Sequence, residues 1–360
     1  MTFDAATAFR GYLLAWTFWA GLGLGAMGIL FVQFLTGGAW GLATRRILEA
    51  ATATVPVMAL LFVPLLFGAD QLYAWARPSD VSADAILQHR SIYLNMPFFA
   101  ARTLVYLVVW CVLAVLVRRW STAHQMDAMQ LLRRLQKLSI VGVIALGVTV
   151  SFAAIDWLMS LDADWYSTMY PPLVAMGFML AALAFAIVAL VRLTPRTQLS
   201  QLVTPQLRND LGSLLLAFLM LWAYMHYFQY LLIWAGNLSD EIPFYLRRVE
   251  AGWEPVAIAV AVLGFGVPFW FLLFRSLKRN PRTLASLALL VLVMHLVDVY
   301  WLVAPPFEPA GPAPTLLDAM ALVGLGCVWA VVFIWQLRAR PLLPDNDVRL
   351  IALEAAHETA

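Results

Sequence analysis

Two polar stripes on otherwise apolar helices carry the residues of this 360-residue chain best suited to chemistry. His295 and Asp298 stand three residues apart and share one helix face, with Trp301 on nearly the same stripe. An imidazole beside a carboxylate can exchange protons near neutral pH, which makes the pair a candidate for proton transfer; the same two groups can also be a hydrogen bond that ties two helices. Trp222, His226, Gln229 and Tyr230 form a second stripe, in which polar and aromatic groups alternate. Such a wall suits a flat quinone ring, with His or Gln bonding a carbonyl oxygen and aromatic rings at its sides, and it suits a packed aromatic surface equally well. His226 and His295 on facing helices would also be the arrangement of axial haem ligands, for which one His pair is weak support.

A third centre lies in the stretch Ser151 to Tyr170, where an apolar helix ends in Asp156 and gives way to an acidic loop rich in Trp and Tyr. An ionised Asp at the centre of a bilayer costs about 2.5–3.5 kcal/mol, so Asp156 should face protein or water and should have a partner. Arg102 falls at nearly the same depth, and with Asp156 and Asp298 it places three charges in one layer where mutual pairing is the expected solution. Glu49 and Asp210 are weaker candidates for proton entry on the opposite side, since an acid near a helix start is favourable in any case.

The elements that must hold these groups follow from composition. The chain is 63% hydrophobic and 12% charged, a balance that a soluble core cannot absorb and a bundle of membrane helices requires. Apolar runs long enough to cross a hydrocarbon layer of roughly 30 Å lie near 12–36, 47–68, 98–118, 138–158, 170–192, 211–235, 254–275, 283–302 and 315–337. The expected fold is therefore an all-α, polytopic membrane bundle of about nine transmembrane helices. Segments 37–46 and 69–97 are too polar or broken to span, with a short surface helix expected at Ala85–Leu94. The spans divide into a stub and first span over 1–40, a four-helix group over 41–192, a second four-helix group over 193–337, and a tail over 338–360.

Seventeen of the 23 basic residues fall in the linkers after spans one, three, five and seven and in the tail, which puts the N-terminus outside and the tail in the cytoplasm. A net charge of +2 with its basic residues committed to topology gives no support to nucleic-acid binding. The first apolar run follows Arg10, but it is too long for a signal peptide, lacks a small-x-small cleavage site and should remain as a span. Cys111 and Cys327 lie singly in apolar spans without C-x-x-C-H or a Cys cluster, so neither covalent haem nor a chain-bound iron–sulfur cluster is expected, and no metal site is expected either. Gly23 to Gly28 matches a dinucleotide-binding fingerprint by letter, yet sits inside an apolar helix; Gly21 and Gly25 read instead as a small-xxx-small packing face. Pro56 and Pro64 each remove a helix bond and should bend the second span, either as a packing kink or to expose carbonyls to a cavity water.

Several segments together resemble the second large membrane subunit of alternative complex III, a bacterial quinol:cytochrome c oxidoreductase, within the polysulfide-reductase/NrfD-like membrane-subunit family. The likeness runs through Gly38-Ala-Trp40 with Arg45, Arg46 and Glu49; Tyr93-Leu-Asn95-x-Pro97-Phe98-Phe99 with Arg102; and Asp156-Trp157-x-Met159-Ser160-Leu161 with Trp165-Tyr166-Ser167-Thr168. It continues through Asp210-Leu-Gly212, Trp222-Ala-Tyr224, Gln229-Tyr230-x-Leu232-Ile233-Trp234 with Asn237, Lys278-Arg279-Asn280, and His295 with Asp298. The chain departs from that pattern twice: relatives usually begin with one more span, and a His common before the Trp-aromatic-Ser-Thr motif is Asp164 here.

The resemblance implies a subunit of the bacterial inner membrane with an iron–sulfur subunit, cytochrome c subunits and a homologous membrane subunit as partners. It implies electron transport and proton translocation and no redox centre on this chain; quinol or quinone is a candidate ligand, but the homologous membrane subunit is the better candidate for direct quinol oxidation, with this chain conducting protons or bracing the assembly instead. Asp156, Asp298, His295 and Arg102 would then form an outer proton-transfer region, with His226, Gln229, Trp222 and Tyr230 as a quinol pocket. The competing readings are a purely structural membrane anchor, the quinol-oxidising membrane subunit of another NrfD-like enzyme and, more distantly, a secondary transporter, for which no inverted repeat is evident.

Overall fold

The structure, a computed structural model, describes residues 4–121, 128–197, 199–249 and 252–342, and those residues contain helices and no strand. Nine of the helices are long and apolar enough to cross a membrane: α1 (Ala5–Thr36), α2 (Ala39–Phe67), α3 (Met96–Trp120), α4 (Met129–Leu161), α5 (Tyr170–Leu193), α6 (Pro205–Gly236), α7 (Glu254–Leu273), α8 (Pro281–Val303) and α9 (Leu316–Arg338). The all-α polytopic bundle expected from hydropathy is thus present. The face at which α1 begins is called the N face here, and the opposite one the C face.

Local sequence sets the helix starts. Asp4, Asn95, Thr204, Asn280 and Thr315 each accept a backbone N–H of the first turn of α1, α3, α6, α8 and α9, and Thr315 with Asp318 completes a reciprocal capping box. Pro97, Pro205 and Pro281 occupy first-turn positions, where a missing N–H costs nothing. Gly37 and Gly38 turn the chain between α1 and α2 at φ of 78° and 101°, and a Cβ on Gly38 would also strike the Trp40 ring at 2.8 Å.

Hydropathy places the start of α2 too late. The helix begins at Ala39 and not near 47, so Arg45, Arg46 and Glu49 lie within it, all three buried. Glu49 binds both arginines, Arg45 at 2.9 Å and Arg46 at 2.7 Å, and accepts the Ser121 hydroxyl from the end of α3. A shared carboxylate that pairs both arginines lets a helix continue where a hydropathy window sees only polarity. α4 and α6 likewise extend some residues past their apolar runs at the C face. Asp210, in contrast, is exposed in the first turns of α6, with Gln206 as its hydrogen-bond partner.

Pro56 and Pro64 divide α2 into three helical pieces joined by turns. Carbonyls left without a helical partner at the breaks are met from α1: Trp16 Nε1 donates to Met58 O and Tyr12 OH to Leu61 O, each at 2.7 Å. The kink is therefore a packing device closed by side chains.

α1 is the hub of the bundle. Of its most apolar window 83% is buried, against 22% for α7, and it packs on α5, α9, α2, α4 and α8. The glycines make that closeness possible: a Cβ on Gly25 would lie 2.0 Å from the Phe178 carbonyl oxygen of α5, and one on Gly21 would lie 2.4 Å from the Phe178 ring. These are helix-packing glycines, as the small-xxx-small reading holds. Gly25→Ala is accordingly expected to lower the melting temperature of the purified protein measurably, because backbone must move, whereas Gly28→Ala, whose nearest neighbour lies at 3.5 Å, should leave it near the native value. Equal melting temperatures for the two variants would refute this account of the α1–α5 contact.

Between the second and third spans, residues 69–95 lie over the N face as short helices, among them Ala85–Arg90, which supplies the surface helix expected at 85–94 in shortened form. A further short helix, Pro243–Val249, follows α6 on the same face.

Candidate functional site

The site grows from α6 and α8, which pack on one another and on α5. Trp222, His226, Gln229 and Tyr230 follow one stripe of α6, and His295, Asp298 and Trp301 follow one of α8. Tertiary packing brings the two stripes together. The Asp298 carboxylate is buried between two imidazoles, with Oδ1 3.3 Å from His226 Nε2 and Oδ2 3.9 Å from His295 Nδ1. His295 fits against α5 because residue 177 is glycine, where a Cβ would stand 2.9 Å from the ring.

A cavity of about 590 Å³ opens beside this cluster, walled by Trp222, His226, Tyr227, Tyr230, Tyr245, Arg248 and Trp301 and, from α7, by Val260, Ala261 and Phe265. The α7 wall is a π-helical stretch, Val260–Gly266, a widening of the helix that recurs at functional sites and here leaves room across from α6. His226 keeps 18% of its side chain exposed whereas His295 keeps 4% and Asp298 1%, so the cavity reaches Asp298 through His226. Gln229 stands one layer back: it is buried and donates from Nε2 to the Tyr245 hydroxyl at 3.4 Å. Burial pushes the Tyr245 phenol above its ordinary pKa, which keeps it a neutral donor and acceptor.

Polar atoms without partners concentrate at this place. Trp222 Nε1, Trp301 Nε1, His226 Nε2, Gln229 Oε1, Asp298 Oδ1 and both ring nitrogens of His295 are buried without an aligned hydrogen bond from within the described residues. A buried donor or acceptor left unmet costs about 1–3 kcal/mol, so a group of them beside a roomy cavity fits water or a ligand with hydrogen-bonding ends.

The other charges of the predicted layer are arranged differently. Arg102 binds Asp156 through two parallel bonds, Nε to Oδ2 at 2.8 Å and Nη2 to Oδ1 at 2.9 Å, and Tyr106 donates to Oδ2 at 2.9 Å. Arg102 also donates to the Tyr93 carbonyl and lies 3.8 Å from the Tyr93 ring centroid and 4.3 Å from that of Phe98. Asp156 is fully buried, and neither it nor Arg102 lines the aromatic cavity. Three charges at one depth thus resolve into a closed Arg102–Asp156 pair joining α3 to α4, and a separate Asp298 cluster. Burial and the nearby Asp156 charge push the Tyr93 phenol up to about 12.

Further groups emerge that the sequence stripes do not point to. Asp162, just after α4, is bound by Arg247 and, at 3.4 Å, by Arg248. Arg10 bridges Glu308 and Asp318 across the loop between α8 and α9, with Tyr300 donating to Glu308 at 2.5 Å. A signal for both was available: Arg10, Arg77, Arg90, Arg102, Arg247 and Arg248 are the basic residues on the side that should carry few, and such residues need a reason to be there. Each has one, in Glu308 and Asp318, Asp80, the carbonyls of Ala163 and Asp164, Asp156, and Asp162 for the last two.

No protein-family model matches the chain, and a search of curated proteins finds no match. The functional reading therefore rests on the geometry and on the motifs above.

Proposed function

We propose that this chain is an integral-membrane subunit of a respiratory quinol:cytochrome c oxidoreductase complex of the alternative complex III type, in the bacterial inner membrane with its N face outward. The observation that carries the reading is the His226–Asp298 pair, with Trp222 Nε1, Trp301 Nε1 and Gln229 Oε1 buried near it without an aligned hydrogen bond, at the edge of an aromatic cavity that opens on the exposed side of α6 and α7. A quinol has the complementary form: a flat ring for the Trp and Tyr walls, hydroxyls for the imidazole, and an apolar tail for the exposed faces of α6 and α7.

In this reading His226 accepts a proton from a ring hydroxyl in the cavity. Asp298 holds the imidazole in place and stabilises the charge it gains, and His295 supports the far side of the carboxylate. Electrons pass to an iron–sulfur subunit and onward to cytochrome c subunits, with a homologous membrane subunit alongside; the chain supplies position and proton acceptance, and its partners supply redox centres. Arg102 with Asp156, and Glu49 with its two arginines, hold helices together.

The closed geometry of those last two clusters favours a second reading, a structural anchor with no ligand of its own. Two measurements separate them. Purification of the chain from native membranes should recover iron–sulfur and multihaem proteins, and a photoreactive short-chain quinone should label α6 or α7 in a manner that excess quinone suppresses. Recovery of those partners with labelling absent from both helices favours the anchor, and recovery of the chain without redox proteins overturns the complex itself.

A further inference from the structure

Arg248 belongs to two places at once. Its side chain is 1% exposed and lines the aromatic cavity, where its guanidinium lies 3.5 Å from the Phe244 ring centroid and 5.6 Å from that of Trp301. The same group contacts Asp162 and donates to the carbonyls of Phe244, Trp301 and Leu302, the last two being acceptors left over at the end of α8. Asp162 in turn lines a second, polar cavity of about 360 Å³ at the N face, together with Arg247, Asp164, Asp84, Arg77 and Gln71. One ion pair therefore stands between the membrane cavity and a water-facing vestibule.

The charged and titratable groups around Asp162 come from three elements. Arg247 and Arg248 project from the helix Pro243–Val249, and Asp84 and Arg77 line the vestibule from segment 69–95. From the first turn of α5, buried Tyr170 lies within electrostatic range of Asp162, Arg248 and Asp298. Burial draws the Arg248 pKa downward while Asp162 and the neighbouring tyrosines raise it, and the guanidinium remains a cation throughout. Four polar contacts and two ring faces are more than a surface arginine obtains, and they hold a fixed positive charge in the wall of the aromatic cavity, 3.4 Å from the Asp162 carboxylate that lines the vestibule.

Resting on the functional reading above, we propose that Asp162 is the proton outlet of the aromatic cavity and that Arg248 is the barrier that closes the outlet to everything larger. A proton that leaves a hydroxyl in the cavity, whose oxygen keeps the bonding pair, is taken up at His226 and reaches the Asp162 carboxylate past the stretch of cavity wall that Arg248 forms. From there it enters vestibule water, and both arginines remain charged.

The test uses the full chain in its native complex, with Cys111 and Cys327 replaced by Ser for the labelling arm. Asp162→Asn should lower quinol:cytochrome c turnover about tenfold and make the remaining rate insensitive to pH on the vestibule side, while Asp162→Glu retains both rate and pH response. Ala223→Cys, in the cavity wall, should react slowly with a charged, membrane-impermeant thiosulfonate added at the N face, equally slowly with Asp162→Asn, and at least about tenfold faster with Arg248→Ala. Native rate and native pH profile in Asp162→Asn overturn the outlet. So does fast labelling of Ala223→Cys in the chain that retains Arg248. Labelling does not depend on quinol, so the barrier is read even where turnover fails to respond to Asp298→Asn, a result that counts against the quinol reading instead.

Discussion

Asp298→Asn is expected to reduce quinol:cytochrome c turnover by about 10²-fold while leaving the amount of assembled complex close to native, with the residual rate following a changed pH profile. The magnitude is that of losing one positioned acid–base group, which contributes typically 10²–10⁴-fold. Asn keeps the shape and much of the hydrogen bonding of Asp, so the packing of α8 against α5 and α6 should survive. What disappears is the charge that faces His226 at 3.3 Å and His295 at 3.9 Å, and with it the means of stabilising an imidazolium at the cavity edge. His226→Gln should reproduce most of the loss, since His226 is the member of the cluster with access to the cavity. The anchor reading expects the opposite division, with little complex in the membrane and normal turnover in whatever remains. Subunit content and turnover measured on the same preparations decide between them, and normal turnover across pH in Asp298→Asn would falsify the proton-transfer role.

Arg102→Met should act on assembly instead of chemistry. It leaves a fully buried Asp156 with only the Tyr106 hydroxyl and removes both parallel bonds, and breaking a buried pair by deleting one partner costs about 3–5 kcal/mol. The variant is expected to be depleted from membranes and to melt at a lower temperature, with native turnover per assembled complex. The double variant Arg102→Met, Asp156→Leu should recover most of the loss, because a buried ion pair replaced by apolar groups is often neutral in stability. Thermal denaturation of the four members of this cycle gives the coupling directly. Failure of the double variant to recover, or a drop in turnover per complex in Arg102→Met, would move the pair from a helix tie into the reaction.

The sequence by itself determined the fold class and the nine helices that, among the described residues, are long and apolar enough to cross a membrane, because in lipid every backbone group must be satisfied within its own segment and length and hydropathy then define each helix. It determined the two polar stripes as well, since His295 with Asp298 and Trp222 with His226 and Tyr230 follow from the 3.6-residue period alone. Gly21 and Gly25 were legible as packing residues for the same reason.

Helix starts were less legible. The sequence puts Arg46 and Glu49 at the start of the second span, whereas in the structure Glu49 binds both Arg45 and Arg46 inside a helix that begins earlier, at Ala39. Pairing across the chain was not legible at all. Periodicity says which face a residue occupies but not which face of which other helix meets it, so three charges at one depth were expected to pair mutually. Packing instead gave Arg102 to Asp156 and left Asp298 to His226. Asp162 and Arg248 escaped notice because each belongs to a short N-face segment without a period of its own. They become neighbours only when Pro243–Val249 folds back over the end of α4. Tertiary structure alone decided that the stripes on α6 and α8 meet beside a cavity, that a π-helical turn in α7 gives it width, and that buried Arg248 in its wall contacts Asp162 of the N-face vestibule. The physical reason is that a helix satisfies its own backbone locally, whereas a buried charge must find its partner wherever packing brings one.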